Sequence, residues 1–380
     1  MLPRPYQNEK HRMRLTIVMP SASKTGGAEE AFCQLLSSKA SATVDWQVIF
    51  LEEGPLVRWA SERGNVVRVV ASGRTRQLWK WWRASGEIKR HAKEFSSDLI
   101  FGWMTKGQVY GGLAAWRSGI GAAWFQMGLP EHGMLDRASR LLPAKAILAC
   151  SKYVAALQRQ SQPLANVISV PLGVDVSRFS DAYALDVRQA RTMLNLPTDR
   201  PIVGIVGRLQ KWKGMHVLID AISRVVTQVP DALCLIVGGV YPAEPEYPSH
   251  LRDQIERLGL EGHVLMVGAQ DNVPLWMKAM DIFVHASDRE PFGIVVVEGL
   301  YLGKTVIATT PGGPEEIIQN GINGFFVAFG DSESLATRVV TILSTRGFIN
   351  PEIAHESSLK YCDEAFSERV ISAIQAVVTK

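Results

Sequence analysis

The sequence contains few cysteines and no long apolar segment. Its four cysteines, Cys33, Cys150, Cys234 and Cys362, lie far apart and form no CxxC pair. Neither a zinc site nor a disulfide framework is therefore expected. No apolar run reaches the roughly 18 to 20 residues that cross a bilayer. The polar, basic stretch 1–14 lacks the apolar segment of a signal peptide. These absences favour a bacterial-type cytoplasmic protein.

The sequence also lacks a strong charge bias. Lys and Arg number 41 against 37 Asp and Glu, which gives a net charge of +4. Spread over the chain, this mild excess does not indicate nucleic-acid binding. No GxGxxG turn follows the first apolar run with an acid about 20 residues later, which disfavours a dinucleotide-dependent oxidoreductase. At 380 residues and 47% hydrophobic content, the chain is expected to fold as two globular domains.

Short apolar runs alternate with helical patterns along the chain. They lie at 15–19, 46–51, 66–70, 98–101, 122–125 and 146–149 in the first half, and at 232–237, 264–268, 281–285, 305–309 and 324–327 in the second. Runs this short suit strands that are buried on both faces, and their alternation with helices is typical of doubly wound parallel sheets. The predicted fold class is α/β.

Two carboxylates stand on either side of a Pro-Phe-Gly turn and a run of branched apolar residues. Glu290 precedes the turn and Glu298 follows the run. The order strand, loop, helix, strand puts Glu290 at the carboxyl edge of a parallel sheet and Glu298 about two turns into the helix. The N–H groups of Phe292, Gly293 and Ile294 would point outward, where a helix N-terminus attracts an anion. Two solvated charges are the ordinary interpretation, but a carboxylate within an apolar run is hard to explain in that way.

Two cations follow the stretch that opens the second half of the chain. Gly207 and Arg208 end an apolar run, Lys213 comes five residues after Arg208, and Gly214 and a helix follow. A strand end and the next loop can bring Arg208 and Lys213 onto one anion, although an isolated pair would usually be a solvated face. Beside a helix start and a glutamate loop, the pair favours a diphosphate clamp. Fixed cations there would stabilise the charge that grows on a departing diphosphate.

In this order, the motifs resemble those of retaining glycosyltransferases with the GT-B fold, family 4 type (glycosyl transferases group 1). Glu290 and Glu298 match the family's E-x7-E motif, and Arg208 and Lys213 match its R-x4-K pair. The resemblance is strongest over 204–327. It implies two Rossmann-like domains, each a doubly wound parallel sheet, with an interdomain cleft.

The same resemblance places a domain junction near the middle of the chain. The stretch 171–175 is similar to the family's P-x-G-V-D turn at that junction. The implied organisation is an acceptor-binding domain over 1–172, a nucleotide-sugar-binding domain over 173–363, and a last helix within 364–380 that crosses back to the first domain.

The family's chemistry supplies the expected activity. A sugar would move from a UDP- or GDP-sugar to an acceptor hydroxyl with retention of configuration, in cell-surface polysaccharide or glycolipid assembly, without a cofactor or a metal. Arg208 and Lys213 would hold the diphosphate, Glu290 the sugar hydroxyls and Glu298 the ribose; the first three are the catalytic candidates. The leaving phosphate would assist the acceptor hydroxyl in a front-face displacement. Further donor contacts are expected from Gly26, Gly27, Gly207, Phe292, Gly293 and Ile294.

The first half of the chain gives weaker signals. Gly26 and Gly27 match the glycine pair that approaches the donor diphosphate from the opposite domain, although a plain loop would look the same. Many family members carry a histidine directly after the strand predicted at 122–125. Here Gln126 stands in that neighbourhood and His132 follows in the loop. Either could contact the sugar or the acceptor, and neither is expected to be a general base.

The segment 74–93 combines three tryptophans with many cations and almost no acid. It is either an ordinary helix whose tryptophans lie in the core, or a surface for anionic lipid headgroups or a lipid-linked acceptor. The second interpretation predicts peripheral contact with the inner face of the cell membrane. Nucleic acid is the less favoured partner.

Two rival functions share the predicted fold. A nucleotide-sugar epimerase would need additional acids or histidines in the cleft. A catalytically silent member that only binds a sugar nucleotide is compatible with the missing histidine. Donor hydrolysis by the purified protein, screened over several nucleotide sugars, would separate these functions.

Overall fold

The chain folds into two compact units. The computed structural model describes residues 12–23, 26–73, 78–131 and 133–379. Unit 1 runs to Pro171 and takes up the chain again from Asp363, and unit 2 is Leu172–Cys362. The boundaries expected from the sequence, 172/173 and 363/364, are adjacent to these.

Unit 1 is built on a seven-stranded parallel sheet. Its strands are β1 (Met13–Met19), β2 (Val44–Phe50), β3 (Val66–Val69), β4 (Leu99–Trp103), β5 (Gly121–Gln126), β6 (Ala146–Ala149) and β7 (Val167–Ser169). The helices between them are α1 (Gly27–Ser37), α2 (Pro55–Ser61), α3 (Leu78–Glu94), α4 (Met104–Ser118), α5 (Met134–Leu141) and α6 (Lys152–Ser161). The strand order is β3-β2-β1-β4-β5-β6-β7. Leu15, Ile17 and Val18 of β1 are fully buried, as expected for a central strand with helices on both faces of its sheet.

Unit 2 repeats this plan with six parallel strands. Its strands are β8 (Ile202–Val206), β9 (Leu233–Val237), β10 (Val264–Gly268), β11 (Ile282–His285), β12 (Thr305–Thr310) and β13 (Phe325–Ala328). Its helices are α7 (Ser180–Ala184), α8 (Val187–Met193), α9 (Met215–Val225), α10 (Tyr247–Arg257), α11 (Val273–Ala279), α12 (Ile294–Tyr301), α13 (Ser332–Thr345) and α14 (Pro351–Ser358). The strand order is β10-β9-β8-β11-β12-β13. The expected pair of doubly wound, Rossmann-like parallel sheets is confirmed.

The last helix, α15 (Asp363–Val378), belongs to unit 1. Its Phe366 ring stacks on Phe125 of β5 with the ring centroids 6.1 Å apart. The Glu364 carboxylate accepts the N–H groups of Lys39 and Ala40 at 3.1 and 2.9 Å. The chain therefore returns to its first sheet after completing the second.

Each sheet has a switch point at which the strand order reverses direction. In unit 1 it lies between β1 and β4, and in unit 2 between β8 and β11. The connections leave adjacent strands there towards opposite faces, so a crevice opens beyond the carboxyl ends of those two strands. The loops that follow β8 and β11 are thus where unit 2 is expected to hold a ligand.

Helix α3 contains the three tryptophans of the segment 74–93. Residues 74–77 lie outside the described part of the chain, and α3 begins at Leu78. Trp81 is partly buried and donates its indole N–H to the Val109 carbonyl at 3.0 Å. Trp79 and Trp82 are 62% and 52% exposed, so the core interpretation holds for one tryptophan of the three. Among the described residues, no helix is both long and apolar enough to cross a membrane.

Candidate functional site

The loops after β8 and β11 are tied together at the switch point of unit 2. The Asp288 N–H donates to the Trp212 carbonyl at 2.7 Å. Gly214, which precedes α9, has φ +75°, and a Cβ at this position would collide with the Ala286 carbonyl oxygen. Only glycine combines that conformation with so close a backbone approach. The chain that carries Lys213 is therefore held against the end of β11.

This contact brings Lys213 and Glu290 together. The Lys213 ammonium nitrogen lies 2.7 Å from Oε2 of Glu290. His285, the last residue of β11, places Nε2 3.2 Å from the same oxygen. The side chains of Lys213, Glu290 and His285 are only 17%, 13% and 2% exposed. A buried carboxylate with two donors on one oxygen is a built arrangement rather than a solvated surface charge.

The surroundings of Glu290 keep its carboxyl group ionised. Burial on its own would raise the pKa of this carboxyl. The charge of Lys213, the hydrogen bond and charge of His285 and the hydrogen bond from Lys213 act against burial, and together they lower the pKa well below its usual range. Glu290 is therefore an acceptor at neutral pH.

Helix α12 begins directly after this carboxylate. Gly293 precedes the helix with φ +100°, and its carbonyl accepts the N–H groups of Val296 and Val297 at 2.9 and 3.4 Å. The N–H of Ile294, the first helical residue, has no acceptor within the helix, as is general for a first turn. The Glu290 carbonyl accepts the Gly313 N–H at 2.7 Å, which fixes the turn against the loop after β12. The predicted helix start after the Pro-Phe-Gly turn is confirmed.

The other predicted residues of unit 2 lie on the same or adjoining segments. Arg208, at the start of the loop after β8, is exposed, and its guanidinium carbon lies 5.0 Å from the centre of the Tyr241 ring. Gly207 donates its N–H to the Val237 carbonyl at 3.0 Å. Glu298 is half-buried in the second turn of α12, and Phe292 is buried. Lys213 thus contacts Glu290 directly, whereas the Arg208 guanidinium lies over the Tyr241 ring.

The predicted residues of unit 1 that the structure describes lie at the start of α1 and at the end of β5. Gly26 precedes α1, Gly27 is its first residue, and the Gly26 carbonyl accepts the Glu30 N–H at 3.1 Å. Gln126 ends β5, is 2% exposed, and its Oε1 accepts the Thr105 hydroxyl at 3.1 Å. His132 lies outside the described residues.

His285 is the site residue that sequence reasoning missed. A lone histidine at the end of an apolar strand is usually a packed core residue. The available signal in the sequence was the short distance from His285 to Glu290, because His285 ends a strand and Glu290 lies in the loop that follows it.

Comparison with known proteins adds family relationships to this geometry. Residues 186–356 match the family model of glycosyl transferases group 1. A lipopolysaccharide core biosynthesis glycosyltransferase, LpsE of Rhizobium meliloti (strain 1021), is 32% identical over 154 residues, which are 40% of this chain and 43% of that protein. The lipopolysaccharide core biosynthesis mannosyltransferase LpsB of the same organism is 27% identical over 176 residues, 46% of this chain and 50% of that protein. The chain thus spans about half the length of these curated relatives.

A solved structure matches nearly the whole chain. It is that of Anabaena Alr3699/HepE in complex with UDP and glucose, at 25% identity, with 96% of this chain and 99% of that chain covered and a TM-score of 0.80.

Proposed function

We propose that this chain is a glycosyltransferase, because residues 186–356 match the family model of glycosyl transferases group 1. It transfers a sugar from a nucleotide-sugar donor to an acceptor hydroxyl. The observation that carries the proposal is the buried Lys213–Glu290 pair at the switch point of unit 2, 2.7 Å across. Open parallel sheets bind ligands at this point, and a cation beside an acid suits a ligand that offers both phosphate and hydroxyl groups.

Lys213 and Arg208 serve the leaving group in this proposal. Breaking the bond between sugar and phosphate builds negative charge on the departing diphosphate. Cations in a fixed geometry stabilise that charge more in the transition state than in the ground state. The first N–H groups of α12 add donors and the positive end of a helix dipole. No metal is needed where these groups neutralise the charge.

Glu290 and Glu298 select the sugar and the ribose. An ionised carboxylate accepts hydrogen bonds from two hydroxyl groups, and the lowered pKa of Glu290 keeps it in that form. Transfer proceeds with retention, by a front-face displacement in which the leaving phosphate takes the acceptor proton. UDP is the nucleotide to test first, because the Anabaena protein was solved with UDP and glucose.

The acceptor binds to unit 1 in this proposal, near Gly26, Gly27 and Gln126. The relatives named for lipopolysaccharide core biosynthesis support a saccharide acceptor of a cell-surface polysaccharide or glycolipid. Such acceptors are assembled at the inner face of the cell membrane, where a cytoplasmic enzyme would meet them.

Exposed aromatic residues support peripheral membrane contact. Trp79 and Trp82 of α3 are joined on unit 1 by Trp116 of α4 and Leu141 of α5, all more than half exposed. The Arg117 guanidinium lies 3.8 Å from the centre of the Trp82 ring. Tryptophan and arginine side by side suit the boundary of an anionic lipid surface. Sedimentation with vesicles should capture the protein on anionic lipid and not on neutral lipid, and W79A/W82A should reduce capture. The exposed Leu164 provides a control, L164A, that keeps capture unchanged.

Donor consumption tests the proposed activity. The purified protein is incubated with UDP- and GDP-sugars, and release of the nucleoside diphosphate is followed with and without saccharide acceptors. K213A should reduce release from the preferred donor about a hundredfold or more, because a charge-stabilising donor is lost. K211A is the matched control, since Lys211 is an exposed lysine in the same loop, and it should retain full turnover.

The products of the same assay decide between the rival functions. An epimerase would convert the sugar and release no diphosphate, and a silent member would bind the nucleotide without turnover. Either result would refute the transferase assignment. Inversion of configuration in an isolated product would refute the retaining mechanism alone.

A further inference from the structure

The imidazole of His285 is buried beside Glu290 and uses only one of its two nitrogens. Nε2 lies 3.2 Å from Glu290 Oε2, and the side chain is 2% exposed. Over the described residues, no group offers Nδ1 a hydrogen bond. Buried polar atoms are usually satisfied, so the position of this ring is set by its contact with the carboxylate rather than by a partner at Nδ1.

The chemistry of the contact fixes the position of the proton. An ionised carboxylate only accepts hydrogen bonds, so Nε2 must carry the hydrogen. His285 is therefore a donor to Glu290 through its Nε2–H group.

The strand holds this donor rigidly. Side chains alternate across a strand: Ile282 and Val284 join the apolar core that also contains residues of α9 and α13. Phe283 and His285 lie on the opposite face, where Phe283 packs closely against Gly299 of α12. Lys213, by contrast, reaches the carboxylate from a loop on a flexible four-carbon stem.

The two donors leave one carboxylate oxygen for a ligand. Lys213 and His285 both contact Oε2 of Glu290, and none of the described residues bonds to Oε1. If Lys213 turns towards a bound diphosphate, Glu290 loses its cation and keeps the His285 hydrogen bond. Without the His285 hydrogen bond, the Glu290 side chain would be free to rotate once Lys213 had moved to the diphosphate.

We propose that His285 is a positioning residue that anchors Glu290 through Oε2 and keeps Oε1 directed at the hydroxyl groups of the donor sugar. The role towards the sugar rests on the proposed function. The anchoring itself is a property of the ligand-free protein, and the two parts can be tested separately.

Isosteric substitutions test the role in turnover. The amide nitrogen of glutamine reaches the position of Nε2, whereas that of asparagine reaches only the position of Nδ1. H285Q should keep kcat for donor consumption within about threefold, and H285N and H285L should lose about ten- to hundredfold, the value of a hydrogen bond to a charged group. The affinity for the nucleoside diphosphate alone should stay within about twofold in all three variants, because Lys213 is intact. A purely structural role would lower this affinity and the thermal midpoint together.

Histidine ring spectra test the anchoring without any activity. In protein labelled with ¹⁵N-histidine, the His285 signals are assigned by their loss in H285Q, and a hydrogen bound to Nε2 is expected. A ring without a hydrogen on Nε2, or full turnover by H285L or H285N, would overturn the inference. If Nε2 carries a hydrogen as expected but the wild-type protein consumes no nucleotide sugar, the proposed function fails and the anchoring stands.

Discussion

The two sheets share a topology and differ in what stands at their switch points. In unit 2 the loops after β8 and β11 carry Lys213 and Glu290, and a buried histidine supports them. In unit 1 the corresponding region offers glycines after β1 and, one strand beyond β4, the neutral Gln126 bonded to Thr105. Two crevices of the same topological origin therefore have different chemistry. The fold provides the place for a ligand, and the charged side chains decide which ligand is bound and transformed.

The strongest test of this contrast removes the charge from unit 2. E290Q should lower kcat/KM for donor consumption about a hundred- to thousandfold, because the amide neither balances Lys213 nor accepts two hydroxyl groups with full charge. The measurement is the initial rate against donor concentration. E256Q, on an exposed face of α10, is the control and should match the wild type. An E290Q rate within threefold of the wild type would remove Glu290 from the site.

A second test compares a glycine in each unit. Gly214 in unit 2 and Gly119 in unit 1 have nearly the same φ, +75° and +78°, but a Cβ meets the Ala286 backbone at the first and open space at the second. G214A should cost about 2 to 4 kcal/mol of unfolding free energy and reduce turnover, since it pushes Lys213 away from β11. G119A should cost about 1 kcal/mol and leave turnover unchanged. Chemical unfolding measures both, and equal costs would show that the close approach is unimportant.

The pH dependence of stability tests the ionised state of Glu290. Its pKa is depressed in the folded protein, so its stabilising contribution is present above the unfolded value of about 4.5 and is lost as pH falls from there towards the folded value. Between pH 5 and pH 3, the wild type should lose about 1 to 3 kcal/mol more unfolding free energy than E290Q. Parallel curves for the two proteins would mean that the carboxyl group is not held ionised by its neighbours.

The smallest effect is expected in unit 1. Q126A removes a buried amide that accepts the Thr105 hydroxyl, which should cost about 1 kcal/mol of stability. It should raise the KM for the saccharide acceptor less than tenfold, with the KM for the donor unchanged. If only the KM for the donor changed, Gln126 would contact the donor rather than the acceptor.

The sequence was most informative where local rules decide the structure. Short apolar runs identified most strands, and the Pro-Phe-Gly turn identified the start of α12, because burial and turn geometry are set by nearby residues. The Lys213–Glu290 contact joins positions far apart in the chain. The sequence predicted only that Lys213 and Glu290 each follow a strand of the same sheet, and not that the two side chains are in contact.

Other features depend on packing that no local pattern encodes. His285 has the same sequence signature whether it packs in a core or supports a carboxylate, and only the pairing of β11 with β8 and the loop contact at Gly214 separate these outcomes. The tryptophans of α3 similarly share one composition, yet Trp81 is partly buried and its neighbours are exposed, because α4 covers only one side of the helix.

The pairing of Lys213 with Glu290 has a consequence for selectivity among cellular anions. A lysine already paired with a carboxylate attracts free orthophosphate weakly, because this small anion must compete with Glu290 for the ammonium group. Orthophosphate also donates no hydroxyl group of a sugar to Glu290, so the carboxylate would be left without a partner. A ligand that carries hydroxyl groups as well as phosphates satisfies both partners when they separate. Under the proposed function, the resting ion pair would therefore favour intact sugar donors over free phosphate.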